Sequence, residues 1–192
     1  MKGYEMGKQR AVFFDRDGTI NVDVGYLASL DRLILYPAAY EAIRRVNEGG
    51  MKAVVVTNQS GVARGYFDEA FVCSVHERIN VLLETEGAHI DRFYFCPHHP
   101  EEGMGQYRVS CSCRKPQPGM LLQAARDMHI DLERSYMIGD MGKDVEAACN
   151  AGAQGILLGT GPRDVANVSC EPVYVARDVL DAVQWIFKDQ LS

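Results

Sequence analysis

Residues 11–19 of this 192-residue chain read AVFFDRDGT, an apolar run that ends in two carboxylates, Asp15 and Asp17. The continuous apolar character of AVFF is typical of a strand that is buried on both faces of a parallel sheet. Carboxylates two residues apart leave an extended chain on the same side, and Gly18 permits a tight turn directly after them. The stretch therefore predicts a buried strand whose carboxyl end presents a pair of acids.

Short apolar runs of the same kind alternate with helical patterns along the rest of the chain. The predicted strands are 11–15, 52–57, 92–96, 135–139, 155–158 and 173–176. The predicted helices are 37–47, 68–86, 119–128, 143–150 and 178–188. This alternation indicates an α/β fold with a doubly wound, Rossmann-like, mostly parallel sheet and helices on both faces. Such sheets bind ligands beyond the carboxyl ends of their strands.

Composition places the chain among ordinary globular proteins, with 47% apolar and 24% charged residues. The 20 basic and 26 acidic residues give a net charge of −6, which argues against a nucleic-acid partner. No apolar run approaches the roughly 18–20 residues that span a bilayer. The first ten residues also lack the apolar centre of an export signal. We therefore expect a cytoplasmic monomer with a flexible tail at residues 1–10 and one domain at residues 11–192.

Polar residues stand at the ends of two further predicted strands and after one loop. Thr57 ends the second strand, Asp140 ends the fourth, and the basic pair Arg114-Lys115 lies between two prolines and an irregular loop. Taken singly, the hydroxyl and the basic pair fit an ordinary turn. An acid at the end of a buried strand is costly unless it is solvated or paired, so Asp140 is the more informative residue.

Together these residues predict a phosphoryl-transfer centre. In a parallel sheet, Asp15, Asp17 and Asp140 would meet at one edge and would repel each other without a cation. Oxygen ligands of this kind select a hard ion, which indicates Mg²⁺. A carboxylate nucleophile, a hydroxyl, a lysine and Mg²⁺ around one point are the groups needed for phosphate transfer through an aspartyl-phosphate.

The motifs that carry these residues resemble a known family. DRDGT at 15–19, Thr57, Lys115 and GDMGKD at 139–144 are similar, in order and spacing, to the four motifs of the haloacid dehalogenase superfamily of phosphatases. TNQSGVARG at 57–65 and the stretch CRKPQPGM that contains Lys115 resemble the histidinol-phosphatase-related branch of that superfamily. The resemblance covers nearly the whole chain.

The resemblance implies a role for each acid. Asp15 would attack phosphorus and bind Mg²⁺. Asp17 would protonate the departing alkoxide and then activate water, while its backbone carbonyl meets the metal. Asp140 would complete the Mg²⁺ site. Asp144 would orient the lysine or a metal-bound water rather than ligate the ion directly.

The resemblance also implies which residues hold the substrate. Thr57 and Lys115 would hold the phosphoryl oxygens during catalysis. The residues implied to contact substrate are Asp23, Val24, Gly25, Tyr26, Thr57, Asn58, Gln59, Ser60, Arg114 and Lys115. Because only 17 residues separate Thr19 from Pro37, we expect no large cap domain over the site.

The charges near the site favour one substrate class among several. A second phosphate calls for an arginine, so Arg114 favours a sugar bisphosphate as the small-molecule substrate. An amino-alcohol calls for an acid, so Asp23 leaves a histidinol-phosphate phosphatase as the alternative. A non-catalytic receiver-type domain with a phosphorylated aspartate is a third, more distant possibility.

A separate cluster of metal-ligand residue types brackets the one long irregular stretch. Cys96 and His98 are followed, after twelve residues, by Cys111 and Cys113. Three thiolates and one imidazole form a closed tetrahedral set of the kind that Zn²⁺ favours. Alternation places His98 on the same side as Cys96, so we prefer it to His99, and the family pattern agrees. The alternatives are unrelated loop residues or a disulfide.

We predict that a structural zinc at residues 96–113 orders this insert. An ion there would also fix the adjacent basic pair against the active site. In the absence of an export signal, the six cysteines are expected to stay reduced.

Overall fold

Six parallel strands form one sheet in the order β3-β2-β1-β4-β5-β6. The computed structural model describes residues 7–159 and 170–189. The strands are β1 Ala11–Phe14, β2 Lys52–Asn58, β3 Arg92–Cys96, β4 Tyr136–Gly139, β5 Gln154–Leu158 and β6 Tyr174–Ala176. The helices are α1 Pro37–Glu48, α2 Ser60–Ala63, α3 Glu69–Glu84, α4 Gly119–Met128, α5 Gly142–Ala151 and α6 Val179–Asp189.

Helices cover both faces of the sheet, as the Rossmann-like prediction requires. Alternate residues of each strand point to opposite faces. Phe14 and Val55 therefore pack with helices α1, α3 and α6 in one apolar cluster. Phe13 and Val56 point the other way and pack with α4 and α5. Because both of their faces are buried, the central strands β1 and β4 carry no charged residue.

Local signals in the sequence set where the helices begin and end. Pro37 opens α1 at a position where its missing N–H is not needed. The Asp68 side chain accepts a hydrogen bond from the Phe71 N–H at 2.8 Å and caps α3. Helix α5 ends at Gly152, whose φ of 81° is the left-handed conformation that glycine adopts without strain.

The predicted fold class is confirmed, and the predicted bounds of strands and helices differ from the observed ones by at most two residues. The sequence analysis did not predict α2, which has only four residues. The flexible tail predicted for residues 1–10 is too long at its carboxyl end. Gln9 donates its N–H to the His129 carbonyl at 2.8 Å and accepts from the Asp131 N–H at 2.8 Å. Residues 1–6 lie outside the described part of the chain.

Among residues 7–159 and 170–189, no large cap covers the carboxyl edge of the sheet. Between β1 and α1, the described chain forms a single 3-10 turn at Leu30–Arg32. Within residues 7–159 and 170–189, no helix has both the length and the apolar character needed to cross a membrane.

Candidate active site

The predicted acids, hydroxyl and lysine converge where β2, β1 and β4 end side by side. Asp15 directly follows β1, Asp140 directly follows β4, and Thr57 is the last but one residue of β2. Thr57 and Asp15 are almost fully buried. Because neighbouring parallel strands end at the same edge, residues far apart in the sequence form one site.

Lys115 lies at the centre of this group and is fully paired. Its Nζ is 2.8 Å from Asp15 Oδ1 and 2.7 Å from Asp144 Oδ1. The third N–H donates to the Val56 carbonyl at 2.8 Å. Burial alone would lower the pKa of Lys115, but the two carboxylates outweigh it and raise that pKa. The side chain is therefore a fixed positive charge beside Asp15.

Asn58 holds the backbone of that lysine from both sides. Its Nδ2 donates to the Lys115 carbonyl at 3.0 Å, and its Oδ1 accepts from the Lys115 N–H at 3.0 Å. Since Asn58 ends β2, this pair of bonds fastens the irregular loop to the sheet. The prediction that Asn58 contacts substrate remains a prediction, but the structure gives the residue a positioning role.

Three donors other than Lys115 bind the Asp17 carboxylate. Arg16 Nη2 lies 2.8 Å from Asp17 Oδ2. Asn21 Nδ2 donates to Oδ1 at 2.9 Å, and Gln59 Nε2 donates to Oδ2 at 2.9 Å. Burial would raise the pKa of Asp17, but the Arg16 charge and these hydrogen bonds together hold it below its usual value.

This second network also reaches Thr57, and its members other than Asp17 are buried. Gln59 Nε2 lies 2.9 Å from Thr57 Oγ1, and Gln59 Oε1 accepts from Arg16 Nη2 at 3.0 Å. Arg16 is only 2% exposed. No periodic or motif signal marked Arg16 as a site residue, because its function depends on a contact with Gln59, 43 residues away.

Three carboxylates at the site fit a divalent cation. One oxygen from each of Asp15, Asp140 and Asp144 lies within 4.8 Å of the others. Burial, and then repulsion from Asp15 and Asp144, raises the pKa of Asp140 to about 7. Among the described residues, no side chain donates a hydrogen bond to the Asp140 carboxylate. An acid that is poorly solvated and has no side-chain donor, next to two further acids, is typical of a site that binds Mg²⁺.

The metal set predicted from the sequence differs from this cluster in one member. The prediction comprised Asp15, Asp17 and Asp140, with the Asp17 backbone as a ligand. In the structure the Asp17 carboxylate faces Arg16, and the third acid of the cluster is Asp144. Asp144 also pairs with Lys115 and accepts from the Met141 N–H at 3.1 Å, which agrees with the orienting role expected for it.

A cleft of about 380 Å³ opens over these groups. Predicted site residues that line it are Asp15, Asp17, Asp23, Gly25, Tyr26, Thr57, Asn58, Gln59, Ser60 and Asp140. Val24 instead packs against the apolar core. Arg114 lines a different cavity, where its Nη1 donates to the His98 carbonyl at 3.1 Å.

Phe67 and Lys143 are among the side chains that line the cleft but were not predicted as site residues. Lys143 is the second residue of α5. A cation in the first turn of a helix opposes the helix dipole. That unfavourable placement was the available signal that Lys143 serves the site rather than the helix.

The four predicted zinc ligands also come together. The Sγ atoms of Cys96, Cys111 and Cys113 are 3.1–3.5 Å apart, and His98 Nδ1 lies 3.4 Å from Cys113 Sγ. Zn–S bonds of about 2.3 Å place tetrahedral thiolates somewhat under 4 Å apart, so the cluster could hold a zinc ion. The rival His99 accepts hydrogen bonds from the N–H groups of residues 101 and 102 at its own Nδ1.

One cysteine pair departs from the expectation of reduced thiols. Cys149, in α5, forms a disulfide with Cys170. Sequence separation gave no indication of this pair, because the fold brings the end of α5 next to the chain that precedes β6. The described cysteines outside this bond are free.

Comparisons with known proteins agree with this geometry. The HAD-hydrolase-like family model matches residues 112–182. The chain is 41% identical over 182 residues to a D-glycero-beta-D-manno-heptose-1,7-bisphosphate 7-phosphatase of Escherichia coli K12, covering 94% of this chain and 95% of that one. It is also 41% identical over 173 residues to the Yersinia pestis protein of the same name, covering 89% of this chain and 92% of that one.

A solved structure shares the fold at similar coverage. The D,D-heptose 1,7-bisphosphate phosphatase of B. bronchiseptica, complexed with magnesium and phosphate, superposes with a TM-score of 0.83. The two chains are 32% identical, and the match covers 94% of this chain and 99% of the other. These relatives are enzymes, which sets aside the receiver-type alternative. The chain belongs to the HAD-like hydrolases, in the family of the heptose-1,7-bisphosphate 7-phosphatases.

Proposed function

We propose that this chain removes the 7-phosphate of D-glycero-D-manno-heptose 1,7-bisphosphate and releases heptose 1-phosphate, in a Mg²⁺-dependent reaction. This step would belong to the synthesis of nucleotide-activated heptose and lipopolysaccharide core. The observation that supports it most is the buried contact of Lys115 with Asp15, beside Asp140, at the ends of adjacent strands. The names of the relatives supply the substrate.

In the first half of the reaction, an Asp15 carboxylate oxygen attacks phosphorus. The bond from phosphorus to the sugar oxygen breaks, and Asp17 gives a proton to the departing alkoxide. Because Arg16 holds the pKa of Asp17 low in the free site, Asp17 must first take up that proton from solvent as the negatively charged substrate binds beside it and raises its pKa. The Thr57 hydroxyl holds a phosphoryl oxygen, and Lys115 holds another by turning toward it the N–H that meets Asp15 in the free site. The lysine charge, 2.8 Å from Asp15, also offsets the negative charge that gathers as the two groups meet.

In the second half, Asp17 takes a proton from water, and the hydroxide attacks the phosphorus of the aspartyl-phosphate. The bond to Asp15 breaks, and inorganic phosphate leaves. Arg16 and Gln59 fix the Asp17 carboxylate with bonds of 2.8 and 2.9 Å, and they bond to each other at 3.0 Å. Proton transfer in both directions depends on that fixed position, because small displacements of a reacting group are costly in rate.

Asp15, Asp140 and the Asp17 backbone carbonyl would hold the magnesium ion, with Asp144 orienting Lys115. A bound Mg²⁺ supplies positive charge at the transferring phosphoryl group. The carboxylates that would hold the ion lie beside the Asp15 oxygen that attacks, so they would hold its charge near the reacting group.

We further propose that Cys96, His98, Cys111 and Cys113 hold a structural Zn²⁺. The set is closed, so it leaves no position for substrate. Arg114 donates to the His98 carbonyl and directly precedes Lys115. An ordered loop would therefore also fix the position of the lysine. We place the enzyme in the cytoplasm as a monomer whose residues 11–192 act as one domain, without nucleic-acid or membrane partners.

A substrate panel with purified protein and Mg²⁺ tests the proposal. We expect kcat/KM for heptose 1,7-bisphosphate to exceed that for histidinol phosphate by at least about 100-fold, since a site built for particular polar groups rejects analogues that lack them. Phosphorus NMR of the product should show the remaining phosphate on C1. Equal or faster turnover of histidinol phosphate would assign the chain to the alternative substrate. Assaying both anomers in parallel determines which one the enzyme prefers.

A further inference from the structure

The charged side chains that line the cleft over the candidate active site are mostly acids. Four of them are aspartates: Asp15, Asp17, Asp23 and Asp140. Among the described residues of the lining, Lys143 is the only cation. Because clefts lined by one sign of charge repel ligands of that sign, a substrate with a second phosphate needs a cation beyond those that meet the reacting phosphate.

The other basic side chains around the cleft are occupied by the protein itself. Lys115 uses its three N–H groups within the site. Arg64, directly after α2, pairs with Glu102. Arg114, the residue favoured for a second phosphate on sequence grounds, lines another cavity and donates to the His98 carbonyl. Arg64 and Arg114 are therefore already matched, and Lys115 serves the reacting phosphate.

Lys143 has no comparable partner. Its side chain is half-buried, and it forms no hydrogen bond or ion pair with any residue that the structure describes. Burial raises the pKa of Asp140, and the Lys143 charge is close enough to oppose that rise. The lysine therefore lies near the reacting centre without being bound to it.

The position of this lysine is unfavourable for α5 itself. Lys143 is the second residue of the helix, where the partial positive charge of the helix dipole disfavours a cation. The next residue, Asp144, is the type of side chain that such a position favours. Neither the dipole nor a described partner accounts for a lysine here, whereas an anion in the cleft does.

We infer that Lys143 binds the phosphate group that stays on the sugar, and thereby selects substrates that carry a second anionic group. The inference rests on the proposed function and names the residue behind its substrate preference. A lysine ammonium is a compact charge with three donors, which suits phosphate oxygens. The same charge repels the amine of an amino-alcohol, which disfavours histidinol phosphate even though Asp23 also lines the cleft.

Kinetics with two related substrates test the inference. Heptose 1,7-bisphosphate and heptose 7-phosphate share the reacting phosphate and differ only in the second one. In Lys143→Met, the ratio of kcat/KM for the bisphosphate to kcat/KM for the monophosphate should fall about 10–100-fold, the effect of losing a hydrogen bond to a charged group. The fall should come mainly from a higher KM for the bisphosphate. Changes at the metal site affect both substrates and cancel in the ratio.

Two further variants and a stability measurement serve as controls. Lys143→Arg keeps the charge and should keep most of the preference for the bisphosphate. Lys8→Met removes an exposed lysine before β1, at the opposite edge of the sheet, and should leave the ratio unchanged. Lys143→Met should unfold at the same denaturant concentration as wild type or a higher one, because it removes a cation from the start of a helix.

The outcomes separate this inference from the proposed function. If wild type hydrolyses the bisphosphate but Lys143→Met keeps its preference, the inference is overturned and the proposed function stands. The same holds if wild type hydrolyses the two compounds equally well, or if the ratio falls in Arg114→Met and not in Lys143→Met. A wild-type chain that hydrolyses neither compound would overturn both.

Discussion

The carboxylate centre and the cysteine loop are both candidate metal sites, but the fold builds them differently. Asp15, Thr57 and Asp140 are fixed by the ends of three adjacent strands, and Lys115 pairs with Asp15 and Asp144 without any ion. The cysteine loop at 97–118 contains only one 3-10 turn, Gly105–Tyr107. Few of its backbone groups bond to the rest of the chain. One is the Met104 N–H, which donates to the Ala63 carbonyl at 2.8 Å.

Because of that difference, the two metals would contribute in different ways. The sheet edge is preorganised, so Mg²⁺ adds charge and chemistry to a site that already exists. The loop has little structure of its own, so the proposed Zn²⁺ adds order. Lys115 connects the two regions, because it follows Cys113 in sequence and contacts Asp15 in space. A variant in one region therefore tests whether the structure or activity of the other depends on it.

Asp15→Asn should have the largest effect on activity. It removes the nucleophile, and we expect kcat to fall at least about 10⁴-fold, as for other enzymes that lose theirs. The folded state and the zinc content should be unchanged, because the cysteine loop does not depend on this oxygen. Phosphate release, circular dichroism and metal analysis on the same preparation measure these outcomes. Residual turnover near the wild-type rate would exclude Asp15 as the nucleophile.

Lys115→Met should damage both activity and stability. It leaves Asp15 and Asp144 buried without their partner, which typically costs about 3–5 kcal/mol. Denaturant unfolding measures the loss. The double variant Lys115→Met/Asp144→Leu removes the second unpaired charge as well, so it should recover part of the stability but none of the activity. A double variant as unstable as the single one would contradict a role for this ion pair.

Cys113→Ser should change the cysteine loop directly and should change catalysis only as a consequence. We expect the bound zinc to be lost and kcat/KM to fall about 10–100-fold, the usual range for losing a group that orients an active site. Hydrogen exchange should quicken across residues 97–118 and leave β1 protected. Cys73→Ser, at an exposed free cysteine of α3, is the control and should behave as wild type. An active, metal-free Cys113→Ser enzyme would show that the loop needs no zinc.

His76 should make the stability of the folded chain sensitive to acid without affecting catalysis at neutral pH. It is buried and stacks on Phe93 at 4.5 Å. Burial, and then the Arg16 charge, lowers the pKa of His76 to about 3. Below pH 6.5 the unfolded chain binds a proton that the folded chain does not, so stability falls as pH falls toward 3.

Unfolding experiments on His76→Phe measure that dependence. Between pH 7 and pH 4, wild type should lose roughly 3 kcal/mol more than the variant. Any metal loss in acid affects both proteins and cancels in the difference. Parallel pH curves for the two proteins would mean that His76 is not held neutral.

Local patterns in the sequence were sufficient for the strands and for the acids that follow them. A strand such as AVFF is recognisable because both of its faces are buried, and Asp140 stands out because an acid there is costly. The roles of Arg16 and of Asn58, which bonds to the Lys115 backbone, were not predictable in this way. Their roles depend on partners 43 and 57 residues away, and nothing in the local sequence specifies those contacts.

The same limit explains the other differences. The Cys149–Cys170 bond depends on how α5 packs beside the chain before β6. The cysteine set was predictable because metal ligands pair in sequence, even though the loop between them has no periodic pattern.

The central claim is that phosphate passes through Asp15, and trapping it there is the most direct test. Asp17→Asn keeps the nucleophile but removes the group that protonates the leaving alkoxide and activates water. With an aryl phosphate, whose leaving group needs no proton, only the second step is blocked, so the covalent form should accumulate. Substrate labelled with radioactive phosphorus, rapid acid quench and peptide mapping locate the label. We predict label on the peptide that contains Asp15 and none in Asp15→Asn; phosphate release without covalent label, or label on a different residue, would contradict the account.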